Sequence, residues 1–170
     1  WMLELSPRIS SSKGATIDVA SGDETWRAGD LLVGEVWIAS GQSNMEWPVH
    51  RTDDAGGSAE AFTNDEIREF KVPHAFSDEP RDTIAGGWAV ASPDTTPGFS
   101  GVAWNFATML NEELAMPIGI VNTSWGGSSV EAWMSLEQLD RVRAQSPPVE
   151  SAVKDWYAAR AQAREDTTGM

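Results

Sequence analysis

The chain has 170 residues, with 12 Lys and Arg against 26 Asp and Glu and a formal charge of −14. That acidity excludes nucleic acid and anionic membrane as partners, because both would repel it, while the 41% hydrophobic content is enough to build a core. Cysteine is absent, which removes disulfides, Cys-ligated metals and thiol nucleophiles. Trp1 stands first instead of Met, and Met170 follows a charged, helix-like stretch without a cap, so a processed protein or a piece of a longer one is expected.

Residues 15–19 alternate apolar and polar after the Ser10–Gly14 turn signal, as a half-buried strand does. Residues 31–39 are nearly continuously apolar, which predicts a strand buried on both faces as in a parallel sheet. It runs into the polar turn Ser40-Gly41-Gln42-Ser43-Asn44. Residues 51–65 read as a loop with one short helix, 67–72 as a strand, and 77–97, with three Pro and two Gly, as a long surface loop. From Gly101 to Leu114 the spacing of Val102, Phe106, Met109, Leu110 and Leu114 predicts a helix with that stripe inward and Asn111, Glu112 and Glu113 toward solvent. Pro117 ends it, and 118–121 is a second buried strand entering Asn122-Thr123-Ser124-Trp125-Gly126-Gly127. Strand, helix and strand with short joins predict an α/β sheet. Two helices are expected over 136–144 and 149–164, separated by Pro147 and Pro148.

Sites in such sheets gather beyond the carboxyl ends of strands. Two loops satisfy this, Gly41–Glu46 and Trp125–Ser129. At a strand-to-helix turn a serine presents its hydroxyl outward, and Gly41 permits the turn. Ser43 therefore reads either as a helix cap or as a nucleophile with nearby amides to hold an oxyanion. The tandem Gly126-Gly127 reads either as a plain turn or as a place where backbone N–H groups approach a ligand. The second glycine of the G-x-S-x-G elbow is missing.

Together these residues carry a resemblance. Gly41-Gln42-Ser43-Asn44-Met45-Glu46, preceded by Val33-Gly34-Glu35-Val36-Trp37, resembles the nucleophile block of the sialate O-acetylesterase family, within the SGNH (GDSL-like) hydrolases. Ile118 to Gly127, followed by Val130-Glu131-Ala132-Trp133, resembles its second block, and Phe99 to Ala107 resembles the helix before it. The resemblance covers roughly residues 30–135. It implies a three-layer α/β fold with a flavodoxin-like parallel sheet, residues 31–170 forming the N-terminal part of the esterase domain and 1–30 the tail of a preceding β domain. It also implies a serine esterase that removes acetyl groups from carbohydrate. Ser43 is then the nucleophile and supplies one oxyanion N–H, Gly127 supplies the second (Gly126 if the register differs by one), and Gly41, Gln42 and Asn44 shape the turn. Glu131 matches a family position without an assigned step.

The family's later blocks, which bring a further oxyanion amide and the Asp and His that activate the serine, have no counterpart in residues 135–170. The two histidines are His50, seven residues past Ser43, and His74, which reads as a surface residue. A serine hydroxyl is a weak nucleophile without a base in hydrogen-bond reach. The chain is therefore expected to depend on the missing C-terminal part of the same domain and to hydrolyse esters slowly or not at all alone. Among nine tryptophans, Trp37, Trp104 and Trp133 are assigned to packing, and Trp47 and Trp125 to a ligand. His50, Asp53 and Asp54 read as solvated, and no metal or cofactor is expected. The expected partner is an O-acetylated carbohydrate, sialate or acetylxylan, and the resemblance places the protein outside the cytoplasm (periplasmic, secreted or lysosomal-like). The reading from a different class is a non-catalytic carbohydrate-binding or scaffold protein that retains the fold.

Overall fold

The computed structural model describes residues 6, 8–53, 60–75, 77, 81–143, 151, 154, 155 and 158. The chain divides into two units, 1–126 and 127–170.

In the first unit, β1 (Ser11–Ser21) and β2 (Glu24–Val33) form an antiparallel hairpin. It turns at Gly22, whose φ of +60° suits glycine. Asp18 and Arg27 face each other across the hairpin and pair through two oxygens and two nitrogens. Arg68 ties the hairpin to the sheet beyond, bonding the Asp30 carbonyl at 2.6 Å and its carboxylate at 3.0 Å.

The sheet has the order β3-β6-β4-β5, from β3 (Glu35–Ala39), β6 (Ile118–Asn122), β4 (Asn64–Lys71) and β5 (Trp88–Ala91). Strands β3, β6 and β4 run parallel, as expected of an α/β fold. The sheet is mixed, however, because β5 pairs antiparallel to β4. Among the described residues the chain between these two strands holds no crossover helix and returns to the same edge, and that geometry gives antiparallel pairing. The expected loop over 77–97 thus contains a strand.

The run 31–39 is not one strand buried on both faces. It breaks at Gly34, where a Cβ would sit 1.9 Å from the Pro117 carbonyl oxygen. Among the described residues β3 pairs only with β6, leaving Val36 61% and Ile38 73% exposed.

Helix α2 (Gly101–Leu114) follows the predicted span. The Ser100 hydroxyl caps its start by accepting the Ala103 N–H, and Ala115 ends it in the left-handed region at φ +48°. Its buried face differs from the expected one. Ala103, Trp104 and Ala107 pack in the core with the sheet and Gly101 is buried against the 47–52 segment, while Val102, Phe106, Met109 and Leu114 are exposed. Small side chains let the helix axis approach the strands closely, so they win the interface. Phe106 meets the half-exposed Trp37 edge to face at 5.2 Å. Asn111 also departs from the solvent-facing expectation, bonding Asn64, Glu66 and the Met116 carbonyl.

The core lies between α2 and the sheet, from Ala39, Val49, Ile67, Phe99, Ala103, Trp104, Ala107, Ile118 and Ile120. Each large aliphatic side chain buried there contributes about 1.5–3 kcal/mol. In the second unit a 3-10 turn covers Val130–Trp133, and α3 spans Leu136–Arg143. Trp133, expected in a core, is 42% exposed and donates its indole N–H to Ser128. The helix expected over 149–164 falls mostly outside the described residues; 151, 154, 155 and 158 are helical. Among the described residues no helix is long and apolar enough to cross a membrane.

Candidate functional site

The carboxyl ends of β3 and β6 lie side by side because Ala39 pairs with Asn122 in register. The ladder continues past both strands, with the Thr123 N–H donating to Ala39 O and the Trp125 N–H to Gly41 O, each at 2.9 Å. The two loops singled out by the sequence are thereby bonded to one another.

At the end of β3, Gly41 has φ +142°, a conformation that side-chain-bearing residues avoid. Gln42 follows in extended conformation, and α1 (Ser43–Glu46) makes a single turn. Ser43 and Asn44 are exposed, so the hydroxyl is not sealed in the core. Among the described residues no side chain hydrogen-bonds to it. Ser43 lines a cavity of about 520 Å³ with Glu46, Trp47, Pro48, His50, Arg51, Lys71 and Gly98. Trp47 is 47% exposed there, its indole N–H fixed on the Arg51 carbonyl at 2.8 Å and its ring under the Arg51 guanidinium at 5.7 Å. His50 Nδ1 lies 2.8 Å from the Pro97 carbonyl; a carbonyl only accepts, so Nδ1 carries the proton.

The loop after β6 comes against the Ser43 turn at Gly126. A Cβ there would lie 3.5 Å from both Cα and Cβ of Ser43 and 2.6 Å from Glu46 Oε2. The Gly126 N–H itself donates to Glu46 Oε2 at 2.6 Å. Gly127, in the second unit, has φ +76°.

Two participants were not recognised in the sequence. His74, read as a surface residue, is exposed as expected, and it also places Nε2 3.1 Å from Glu46 Oε1 and 3.1 Å from the Ser124 carbonyl. Its ring stacks on Trp125 at 4.2 Å with an interplanar angle of 4°. One face of Trp125 is thus covered by a neighbour, which limits the ligand role expected of it. Glu46 stood in the quoted block without a role. No local spacing signals either contact, because the partners come from the loop after β6 and from the chain after β4.

Beneath the loops sits Glu69, 3% exposed on β4. Its carboxylate accepts the Ser100 N–H at 3.1 Å and Asn122 Nδ2 at 3.3 Å. Burial pushes its pKa above the usual carboxylate range, only partly offset by these bonds and by Lys71. Asn122 Oδ1 in turn accepts the Ser124 N–H at 3.0 Å and its hydroxyl at 2.6 Å. In the second unit the Ser129 hydroxyl bonds Glu131 and holds its carboxyl below the usual range. Among the described residues no three His, Asp or Glu side chains gather as a metal site.

The family model described as carbohydrate esterase, sialic acid-specific acetylesterase, matches residues 33–165. Sialate O-acetylesterase of Mus musculus is 30% identical over 154 residues, covering 82% of this chain and 28% of that protein. The Homo sapiens protein of the same name is 31% identical over 154 residues, covering 82% and 29%. In fold, the chain is similar to a crystallised carbohydrate acetylesterase from Xanthomonas citri, with TM-score 0.73 and 37% identity over 76% of this chain and 30% of that one. The chain thus spans under a third of the length of these relatives. It belongs to the family of carbohydrate esterases described as sialic acid-specific acetylesterases.

Proposed function

We propose that Ser43 is the nucleophile of an esterase that removes acetyl groups from carbohydrate hydroxyls. The observation that carries this reading is the exposed Ser43 hydroxyl at the carboxyl end of β3, beside a cavity and against the Gly126 loop. Ser43 Oγ attacks the acetyl carbonyl and gives its proton to a base. The tetrahedral oxyanion then collapses, the sugar oxygen leaves with a proton, and water hydrolyses the acetyl-serine. The Ser43 N–H serves as one oxyanion donor. With the Gly126 N–H bonded to Glu46, Gly127 is the glycine we assign as the second. Gly41, Gln42 and Asn44 shape the turn, and Trp47 offers its ring to the sugar. Acyl transfer of this kind requires no cofactor.

We assign the base to polypeptide outside the described residues, in the C-terminal part of the same domain. Among those residues nothing bonds the Ser43 hydroxyl, and His74 is held by Ser124 and Glu46. The relatives are far longer. The exposed Val36 and Ile38 on β3, and Val102 and Met109 on α2, offer apolar surface for that part to cover.

The test is hydrolysis of an activated acetyl ester by this chain and by Ser43→Ala. The expected result is little or no Ser43-dependent turnover from the 170 residues, and strong Ser43-dependent turnover once the rest of the domain is joined. Robust turnover by the chain alone, abolished by His50→Gln, would move the base to His50, whose Nδ1 proton leaves Nε2 free to accept one. Sugar binding without Ser43-dependent turnover in the joined protein would make this a carbohydrate-binding scaffold. Comparing acetylated sialate with acetylated xylan separates the two substrate classes.

A further inference from the structure

Glu46 follows Ser43 by three residues on the same single turn, and its carboxylate spans to two other segments. One oxygen takes the Gly126 N–H from the loop after β6, and the other faces His74 Nε2 from the chain after β4. Both groups near Nε2, the Glu46 oxygen and the Ser124 carbonyl, only accept, so Nε2 carries a proton and is shared between them. An amide donating to a carboxylate makes a charge-assisted bond, roughly twice as strong as a neutral one. Room for this bond exists because residue 126 is glycine, since a Cβ would fall 2.6 Å from the accepting oxygen.

We propose that Glu46 is a positioning residue of the Ser43 site: with His74 it straps the Ser124–Gly126 loop against the nucleophile turn. The proposal gains its catalytic meaning from the reading of Ser43 as nucleophile, and it goes beyond that reading by giving a task to a carboxylate that takes no part in acyl transfer. The strap has a chemical requirement. Both carboxylate oxygens must accept at once, which an amide side chain cannot do. In Glu46→Gln the side-chain oxygen keeps the Gly126 N–H, and the NH2 then faces His74. To accept from it, Nε2 must give up its proton, and with it the bond to Ser124.

Hydrogen exchange of backbone amides in the 15N-labelled chain tests this without depending on turnover. In Glu46→Gln, exchange at Trp125 and Gly126 should rise by about 3- to 10-fold, because the Gly126 bond survives as a neutral one of about half the strength. The Gly126 amide proton should lose the downfield shift conferred by a carboxylate acceptor. Exchange at Ile120 in β6 should stay within twofold, which separates a loosened loop from a destabilised fold. His74→Phe retains a ring on Trp125 but no Nε2, and should raise exchange at Trp125 while the Gly126 shift persists. Gly126 shift and exchange unchanged in Glu46→Gln, or a rise spread equally through β6, would overturn the proposal. Ser43→Ala should leave both signals as they are, so a failure of the esterase reading and a failure of the strap are told apart.

Discussion

Replacing Asn122 by Asp puts the account of the buried network at risk. Asn122 Nδ2 lies 3.3 Å from the Glu69 carboxylate, and both residues are almost fully buried. The substitution changes no volume to speak of, but it turns a donor into a second carboxylate. Two full charges at 3.3 Å repel by about 5 kcal/mol at an effective dielectric of ~20. The pair has a way out, which is to keep one proton. Holding a carboxyl of ordinary pKa ~4.3 protonated at pH 7 costs about 3.7 kcal/mol. The smaller figure sets the ceiling, and part of it is already present in the parent because burial alone raises Glu69. A loss of about 2–4 kcal/mol at pH 7 is therefore expected, or roughly 6–12 °C in Tm for a chain of this size. The pH dependence is the sharper signature. The folded pair binds more protons than the unfolded chain across the range from about pH 4.3 upward, so stability falls as pH rises. Near pH 4 the protonated pair remakes its hydrogen bond and the deficit should shrink to about 1 kcal/mol. Thermal melts from pH 4 to 8 read this directly. A deficit that is flat with pH would refute the buried carboxylate pair as its cause.

Other predictions concern the same frame. Glu69→Gln removes a carboxyl whose raised pKa makes the parent lose stability as pH climbs above the ordinary carboxylate range, so melts of this variant should be flatter with pH between about 4.5 and 7. Ala115→Gly should raise stability by about 0.5–1 kcal/mol in urea unfolding, because Ala115 holds the left-handed cap of α2 at φ +48°. Gly34→Ala should be among the worst single changes, at about 3 kcal/mol or more, since the new Cβ meets the Pro117 backbone oxygen at 1.9 Å with no flexible group to yield. It should show as a large loss of soluble, cooperatively melting protein.

The legible parts of this protein were those written in adjacent residues. Helix α2, strand β6 and the glycine-bearing turn at Ser43 each follow from a short run of sequence and agree with it. Strand β5 was hidden because it has only four residues, Trp88–Ala91, set between the glycines at 86 and 87 and Ser92-Pro93, too few to show a period. The inward face of α2 was misread for a related reason. Hydrophobic spacing identifies an apolar stripe but not which of two apolar stripes a sheet selects, and here Ala103 and Ala107 allow the closer approach. The exposure of Val36 and Ile38 could not be read from their apolar character, since it depends on how many neighbours β3 has. At the site, Ser43 and the tandem glycines at 126 and 127 were singled out from their blocks, but the contacts of His74 were not. Its partners stand 28 residues before it at Glu46 and 50 after it at Ser124, separations that no local pattern encodes.

The Thr123–Ala39 and Trp125–Gly41 bonds have a mechanical corollary. They extend the rungs of the β3–β6 ladder beyond the last paired residues, so the Ser43 turn and the glycine loop form a continuation of one woven fabric instead of two independent flaps. Thermal agitation that lifts either one must tear those rungs before the two can part. The spacing between them is thus inherited from strand register, a quantity that shifts only in whole-residue steps.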